Sequence, residues 1–184
     1  NFAVKAGDKI AGMRVIPLII EKQKMEAARA AVGGGQIFSL MPFAHKKVGI
    51  VTTGNEVFYG RIKDTFTPVI IDKLAEFDVE IIGHEISSDD SAMEIAAIRK
   101  LLDAGADMIL CTGGMSVDPD DRTPYAIGQV ADRVVTYGAP VLPGAMFLLA
   151  YYGDAKIPVM GLPGCVMYAK RTIFDLLLPR IMAD

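Results

Sequence analysis

Residues 106–124, with the sequence ADMILCTGGMSVDPDDRTP, decide the fold. An apolar run of strand length ends at the Gly113-Gly114 pair, and a cluster of carboxylates follows: Asp118, Asp120 and Asp121. Thr123 and Pro124 then provide a helix cap and a first helical residue. Glycines allow backbone N–H groups to approach a phosphate, and carboxylates bind cations or accept hydrogen bonds. This stretch therefore predicts a ligand-binding loop between a strand and a helix.

The composition favours one main domain and excludes some classes of partner. The chain has 184 residues, of which 52% are hydrophobic, enough to bury a single substantial core with a small appended piece. A net charge of −3 gives no broad basic surface, so nucleic acid and anionic membranes are not expected partners. A bound anion would depend on backbone N–H groups and a few local Lys or Arg residues.

The cysteines indicate a reducing compartment. Cys111 and Cys165 show no metal-ligand spacing, and we expect a cytoplasmic protein. No apolar run approaches the roughly 18 residues of a membrane span, so no membrane association is predicted. Because the chain opens on Asn1 rather than Met, we expect a piece of a longer protein.

The first 46 residues differ from the rest of the chain. Short extended segments are predicted at 2–4 and 13–20, and a helix is predicted at 21–32 before the run Gly33-Gly34-Gly35. This pattern is typical of a closing hairpin and linker. We therefore predict that 1–46 is the end of a preceding domain and that 47–184 form the main domain.

Strand and helix patterns alternate from Lys47 onward. Apolar runs predict strands at 48–51, 79–86, 108–111, 134–137 and 157–160. The clearest helices are 68–77, after the expected cap Thr67, and 91–102, closed by Gly105. Such alternation predicts an α/β fold whose mostly parallel sheet is covered on both faces.

Loops of unusual composition leave the carboxyl ends of three predicted strands. These loops are Thr52–Glu56, Thr112–Gly114 and Gly161–Cys165, the last opening one long helix that continues through Leu178. Asp64, just ahead of the first helix, is expected on the same rim. In α/β sheets ligands bind at this edge, and free N–H groups at a helix start favour an anion.

These motifs, in this order, resemble the molybdopterin-binding (MoaB/Mog-type) domain family. The resemblance covers about residues 46–182 and rests on the following motifs: Thr52–Glu56, Gly60 with Asp64-Thr65, Thr112–Val117 with Asp121, Pro143-Gly144, and Leu162-Pro163-Gly164. Several ordered motifs are far more specific than a single Gly-rich loop. The Gly-Gly-x-Ser-Val form and the upstream segment are most similar to the molybdenum-insertion branch, which includes the molybdopterin molybdenum-transferases and gephyrin.

The resemblance implies a fold, a ligand and roles for named residues. It implies a three-layer α/β/α domain, usually homo-oligomeric, that binds molybdopterin or its adenylylated form and inserts molybdenum from molybdate with magnesium. Asp64 and Asp121 would be the catalytic pair and would hold the magnesium ion. The cofactor-binding positions would be Thr53, Gly54, Glu56, Thr112, Gly113, Gly114, Ser116, Asp118, Pro163, Gly164 and Cys165. Other cofactor-synthesis proteins, or a molybdenum or tungsten enzyme, would be partners.

The sequence departs from the family pattern at a few rim positions. Phe66 replaces an asparagine, Cys165 stands where asparagine follows Leu-Pro-Gly, and Val166 replaces a proline. Leu142 and Ala145 replace lysines of the insertion branch. Loss of two cations weakens the attraction for phosphate or molybdate, so these changes bear most directly on molybdate handling.

Other functions and simpler structural explanations compete with this interpretation. The chain could be a pterin carrier or sensor without catalysis, or a nucleotide pyrophosphatase like the competence-damage proteins, which carry a similar domain. Gly113-Gly114 could form an ordinary turn, Asp64 a turn residue, and Asp121 a carboxylate favoured by a helix dipole. Cys165 could contact the dithiolene or simply be a small buried residue. His84 has no partner at ligand spacing, so metal binding by this residue is not expected.

Overall fold

The computed structural model describes residues 3–12, 14 and 16–183, and the chain forms two compact units, Asn1–Pro42 and Phe43–Asp184. The first unit contains helix α1 (Lys22–Val32), which ends at Gly33 with φ of 65°. This confirms the helix predicted at 21–32. Residues 2, 13 and 15 of the predicted extended segments lie outside the described residues. The described remainder of those segments forms no strand, since a short run gains little from an extended conformation without a pairing partner.

The second unit alternates strands and helices. Its strands are β1 (Lys46–Thr53), β2 (Val79–Ser87), β3 (Met108–Thr112), β4 (Arg133–Tyr137), β5 (Leu148–Tyr152) and β6 (Ile157–Leu162). Its helices are α2 (Asn55–Phe58), α3 (Phe66–Leu74), α4 (Ser91–Asp103), α5 (Thr123–Val130), α6 (Cys165–Tyr168) and α7 (Ile173–Met182). No helix in the described part of the chain is both long and apolar enough to cross a membrane.

The strands form one mixed sheet. Within the described residues it has six strands in the order β2-β1-β3-β6-β5-β4. The first four are mutually parallel, whereas β5 runs antiparallel to both β6 and β4. The predicted mostly parallel sheet is confirmed. Strand β5 was not predicted, because the run at 145–152 between Pro143-Gly144 and Gly153 is apolar throughout and has no alternation that would indicate a strand.

Helices cover both faces of the sheet, which confirms the three-layer α/β/α fold. On one face α3 and α7 pack with Phe147 around side chains such as Ile50 and Leu110. On the other face α4 and α5 enclose Val51, Ile109 and their neighbours. All residues of β3 are buried, so its apolar sequence has no polar side.

The strand order reverses at the β1–β3 pair. The chain leaves β1 through α3 to reach β2 on one side and returns through α4 to β3 on the other. Thr52 of β1 pairs with Thr112 of β3 at the carboxyl ends of these strands. Ligands of open α/β sheets bind in the crevice at such a reversal. The topology therefore predicts a ligand-binding crevice beside these two threonines.

The predicted long C-terminal helix is wrong. It is two helices, α6 and α7, separated by residues 169–172. Thr172 and Asp175 form a capping box, in which the Thr172 side chain accepts from the backbone of Asp175 and the Asp175 carboxylate accepts from the Thr172 N–H. A capping box satisfies two N–H groups that a continuous helix would bond internally, and it therefore starts a new helix at Ile173.

Candidate functional site

Thr52, at the end of β1, connects the elements around the crevice. Its Oγ1 lies 2.9 Å from His84 Nε2 and 3.0 Å from Thr67 Oγ1, donates to Asp64 Oδ2 at 3.2 Å, and accepts from Thr112 Oγ1 at 3.3 Å. Thr52 is 3% exposed. One buried hydroxyl thus joins β2, β3, α3 and the loop that carries Asp64.

Asp64, one residue before the N-cap Thr65, accepts hydrogen bonds from the first N–H groups of α3. Its Oδ1 accepts from the N–H of Phe66 at 2.8 Å and from the N–H of Thr67 at 3.1 Å. The expectation that Thr67 is the cap is therefore wrong: α3 begins at Phe66, and the Thr67 hydroxyl faces Thr52 instead. Burial alone would raise the pKa of Asp64, but hydrogen bonds from Thr67, Phe66 and Thr52 outweigh it and hold this pKa below its usual value.

His84 belongs to this cluster, although no partner for it was expected from the spacing of residues along the chain. Its Nε2 lies 3.2 Å from Thr67 Oγ1 and 3.5 Å from Asp64 Oδ2, in addition to the Thr52 contact. The partners come from β1 and from the start of α3, both distant from His84 along the chain, so spacing could not reveal them. The available signal was the position of a histidine in the strand beside β1, close to its carboxyl end.

The Gly113-Gly114 pair packs directly against β1. Gly113 has φ of +84°, and a Cβ at this position would lie 2.3 Å from the Thr53 carbonyl oxygen. Gly114 has φ of +54°, and its Cβ would lie 2.6 Å from Thr123 Oγ1. Both positions therefore require glycine, for backbone conformation and for space. The loop can reach the crevice only because these two residues lack side chains.

The acidic loop after the glycines folds on itself. Asp121 Oδ2 accepts from the Ser116 N–H at 2.5 Å, and the Asp121 N–H donates to the Asp118 carbonyl at 3.1 Å. Ser116 Oγ accepts from the Asp118 N–H, and Asp118 Oδ1 accepts from the Asp120 N–H. Asp121 is partly buried, whereas Ser116, Asp118 and Asp120 are exposed. Asp121 is thus the group that closes the loop.

Helix α5 starts one residue earlier than expected. Thr123 was predicted to be its cap, but the N-cap is Arg122 and Thr123 is the first helical residue. The Thr123 hydroxyl lies 3.1 Å from Thr53 Oγ1, so it bonds to β1 rather than to its own helix.

The last loop lies beside the Asp64 segment. Pro163 is buried, Gly164 is exposed and Cys165 is half-buried at the start of α6. Met167 Sδ of the same helix accepts from Thr65 Oγ1 at 3.4 Å. The loop after β6 therefore meets the residues that follow Asp64.

The loop after β1 is anchored to the end of β2. The Gly54 N–H donates to the Ser87 carbonyl at 3.1 Å, and Gly54 has φ of +135°. The Asn55 N–H donates to Asp89 Oδ2 at 3.1 Å. Glu56 lies on α2 with an exposed side chain.

The structure thus brings some of the predicted site residues into direct contact and leaves others apart. Hydrogen bonds or close packing join the following residues: Thr53, Asp64, Thr112, Gly113 and Gly114. Pro163, Gly164 and Cys165 lead into α6, whose Met167 contacts Thr65, the residue after Asp64. Ser116 and Asp118 lie in the exposed acidic loop closed by Asp121, and Glu56 is exposed on α2.

The donor set does not fit a metal ion held by side chains alone. Among the described residues no group of three or more His, Cys, Asp or Glu is arranged to hold one. Both oxygens of Asp64 already accept hydrogen bonds, and one oxygen of Asp121 is used by Ser116. Mg²⁺ is usually held by one or two carboxylates together with waters and phosphate oxygens, so magnesium at Asp64 and Asp121 stays a prediction.

Glu94, on α4, is a buried acid that the sequence did not single out. It is 1% exposed, and its Oε2 has no hydrogen-bond partner. Burial raises the pKa of Glu94 to about 7, with the neighbouring Asp89, Asp90 and Asp121 adding to the shift and a hydrogen bond with Thr123 opposing it. Little in the sequence indicated that Glu94 is buried, because a glutamate in the first turn of a helix is usually exposed and favoured by the helix dipole.

This raised pKa predicts that Glu94 weakens folding as the pH rises. The folded protein keeps the proton that the unfolded chain releases, so stability falls from about pH 4.5 to about pH 7 and is constant above. We expect a loss of about 3 kcal/mol in the free energy of unfolding across this range, absent in Glu94→Gln. Urea unfolding of both proteins at a series of pH values measures the difference. Parallel pH profiles for the two proteins would contradict it.

Comparison with known proteins identifies the family. The family described as "Probable molybdopterin binding domain" matches residues 49–183. The chain belongs to this family. A CinA-like protein of Mycobacterium avium (strain 104) is 36% identical over 95 residues, which are 52% of this chain and 22% of that relative. The match therefore spans less than a quarter of the length of that relative.

Solved structures share the fold. The molybdopterin biosynthesis enzyme MoaB from Thermus thermophilus superposes with a TM-score of 0.63 and 29% identity, covering 73% of this chain and 90% of that one. The protein CinA from Thermoplasma acidophilum, of unknown function, gives a TM-score of 0.59 with 20% identity, covering 74% and 98%. The second likeness concerns the fold alone.

Proposed function

We propose that this domain binds molybdopterin, or its adenylylated form, in the crevice between β1 and β3 and holds it for molybdenum insertion. The observation that carries the proposal is the convergence of Thr52, Thr53, Thr112 and the Gly113-Gly114 loop at the strand-order reversal. The family match and the motifs along 46–182 supply the ligand class.

The side chains of the crevice are suited to positioning a ligand rather than to transferring protons to it. Asp64 stays ionised because its pKa lies below the usual value, and its oxygens are used to hold α3 and Thr52. Asp121 closes the acidic loop by accepting from Ser116. Both carboxylates therefore fix loops, and a phosphate would bind to N–H and hydroxyl groups that these loops present.

Replacing Asp121 with alanine tests the ligand site. The Ser116 N–H loses its acceptor, the acidic loop opens, and we expect affinity for molybdopterin to fall about tenfold or more. Isothermal titration calorimetry with molybdopterin measures the change. The matched control is Asp120→Ala, which removes an exposed carboxylate of the same loop and should leave the affinity within a factor of two or so of the parent protein.

Two results would go against the proposal. Equal affinities for Asp121→Ala and Asp120→Ala would show that the closed loop does not form the site. Unchanged pterin after incubation of the bound complex with molybdate, followed by mass spectrometry, would remove the insertion step and favour a pterin carrier. The second measurement is needed because Leu142 and Ala145 stand where the insertion branch has lysines, whose charge would attract molybdate. Leu142 is 85% exposed and adds no charge.

A second candidate function is hydrolysis of a nucleotide pyrophosphate. The CinA-like relatives favour it, and their identity with this chain reaches 36%. The same N–H groups and hydroxyls would then bind a diphosphate. Incubation with ADP-ribose and separation of the products by chromatography distinguishes the candidates, because the insertion function produces no AMP from this compound.

A further inference from the structure

The ring of His84, on β2, lies beside the buried hydroxyl of Thr52. Its Nε2 is 2.9 Å from Thr52 Oγ1 and 3.2 Å from Thr67 Oγ1, and its side chain is 31% exposed. The function proposed above gives this ring no role. The position of the hydrogen on the ring determines the direction of the hydrogen bonds around Thr52.

The single proton of the Thr52 hydroxyl is already used. Thr52 Oγ1 donates to Asp64 Oδ2 at 3.2 Å and accepts from Thr112 Oγ1 at 3.3 Å. Asp64 is ionised at neutral pH, because its pKa, which burial would raise, is held below the usual value by hydrogen bonds, and an ionised carboxylate can only accept. Since Thr52 has no second proton, the hydrogen in its 2.9 Å contact with His84 must come from Nε2.

The opposite direction is unfavourable. An Nε2 without hydrogen would have to accept from Thr52, and Asp64 Oδ2 would lose that donor. The nitrogen lone pair would then lie 3.5 Å from the same carboxylate oxygen, with no hydrogen between the two acceptors. A proton from Thr67 would not help, because the contact between Nε2 and Thr52 would still contain none. Hydrogen bonds to an ionised acceptor are also the stronger ones, which favours donation from Thr52 to Asp64.

We propose that His84 is a positioning residue of the crevice: by donating from Nε2 to Thr52, it directs the Thr52 proton to Asp64 and so fixes the Asp64 carboxylate at the rim. The other oxygen of this carboxylate accepts from the N–H groups of Phe66 and Thr67, so the carboxylate connects β1 to the start of α3. The effect on ligand affinity rests on the proposed function, whereas the hydrogen on Nε2 and the orientation of Asp64 do not.

Nitrogen-15 nuclear magnetic resonance of the whole chain without ligand tests the direction of the bond. Correlations between the ring protons and the ring nitrogens distinguish a nitrogen that carries hydrogen from one that does not. We expect Nε2 of His84 to carry hydrogen at neutral and mildly alkaline pH. The sequence has two histidines, so the spectrum of His45→Asn assigns both rings. An Nε2 without hydrogen in the parent protein would overturn the proposal.

Two variants of His84 differ in whether a donor remains at the position of Nε2. The amide of Gln reaches about as far as Nε2, whereas the amide of Asn reaches only as far as Nδ1. We expect the carboxyl ¹³C signal of Asp64 to shift in His84→Asn and to keep its parent position in His84→Gln. The control His45→Asn removes a ring that lies 3.1 Å from Asp78, and it should leave the Asp64 signal unchanged.

An Asp64 signal that shifts equally in His84→Asn and His84→Gln, or in neither, would contradict the proposed role. If a variant does not fold, the state of Nε2 in the parent protein still decides the question.

Affinity for molybdopterin provides the second readout. We expect His84→Asn to bind about tenfold more weakly than the parent protein and His84→Gln to stay within about threefold of it, because only the first loses the donor. Equal weakening in both variants would show that the ring acts only by filling space. Absence of binding by the parent protein would instead refute the proposed function, and the signals of Nε2 and Asp64 would still decide the role of His84.

Discussion

Gly113→Ala is expected to abolish tight ligand binding and to lower the free energy of unfolding by about 3 kcal/mol. The new Cβ would lie 2.3 Å from the Thr53 carbonyl oxygen and 2.7 Å from Thr53 Oγ1, while φ is +84°. The first contact cannot be relieved by rotating a side chain, because it involves the backbone of Thr53. The loop must therefore move away from β1, and the N–H groups at the crevice move with it.

Gly105→Ala is the matched control. Gly105 has φ of +90°, similar to Gly113, but a Cβ there meets nothing within 4 Å. It follows α4, and its N–H donates to the Leu102 carbonyl. This variant carries the backbone strain without the collision, so we expect a loss of about 1 kcal/mol and no change in affinity.

Both variants are measured by calorimetric titration with molybdopterin and by urea unfolding. The comparison separates the effect of backbone strain, which both variants carry, from the effect of the collision with Thr53, which only Gly113→Ala carries. If Gly113→Ala is no less stable than Gly105→Ala and binds equally well, the loop does not depend on its contact with Thr53. The crevice between β1 and β3 would then lose its main support as the ligand site.

The sheet was predictable because its strands are marked by burial. The runs at 48–51 and 108–111 are apolar on both sides, which fits strands covered by helices on two faces, and the glycines after β3 mark the strand end. The position of the loops at one rim was predictable once the strands were known, since parallel strands place their carboxyl ends together. Strand β5 ends at a glycine as well, but its uniformly apolar run shows no alternation and it was missed.

The residues that complete the site could not be found from spacing. His84 approaches Asp64 and Thr67 only through the pairing of β2 with β1, and Glu94 reaches Thr123 only through the packing of α4 against α5. Both are polar residues on elements with apolar faces, and no local pattern in the sequence indicated a partner for either. Tertiary packing determined their partners.

Helix starts were misplaced where a side chain bonds outside its own helix. Thr67 and Thr123 have the residue type of a helix cap, yet their hydroxyls bond to Thr52 and Thr53 of β1. Caps are favoured by only about 1 kcal/mol, so another buried partner can compete for the same hydroxyl. Both threonines that have the residue type of a cap thus bond instead to β1, at the crevice between β1 and β3.

Asp175→Ala is expected to lower the free energy of unfolding by about 3 to 5 kcal/mol. The Asp175 side chain is 3% exposed and accepts from Lys73 Nζ at 2.7 and 3.0 Å, and from the Thr172 N–H at 2.7 Å. The same Lys73 also donates to the carbonyls of Ala169 and Lys170. Removing the carboxylate leaves Lys73, 12% exposed, without a counter-ion and removes the cap of α7.

A neighbouring surface pair provides the control for Asp175→Ala. Glu76 and Arg171 lie 3.4 Å apart with side chains 58% and 60% exposed, so Glu76→Ala should change stability by less than about 0.5 kcal/mol. Adding Lys73→Met to Asp175→Ala removes the unpaired charge, and we expect the double variant to be less destabilised than the sum of the two single variants. Urea unfolding of the four proteins gives the coupling. Strict additivity would mean that the ion pair between Lys73 and Asp175 contributes no coupling energy to the stability of the fold.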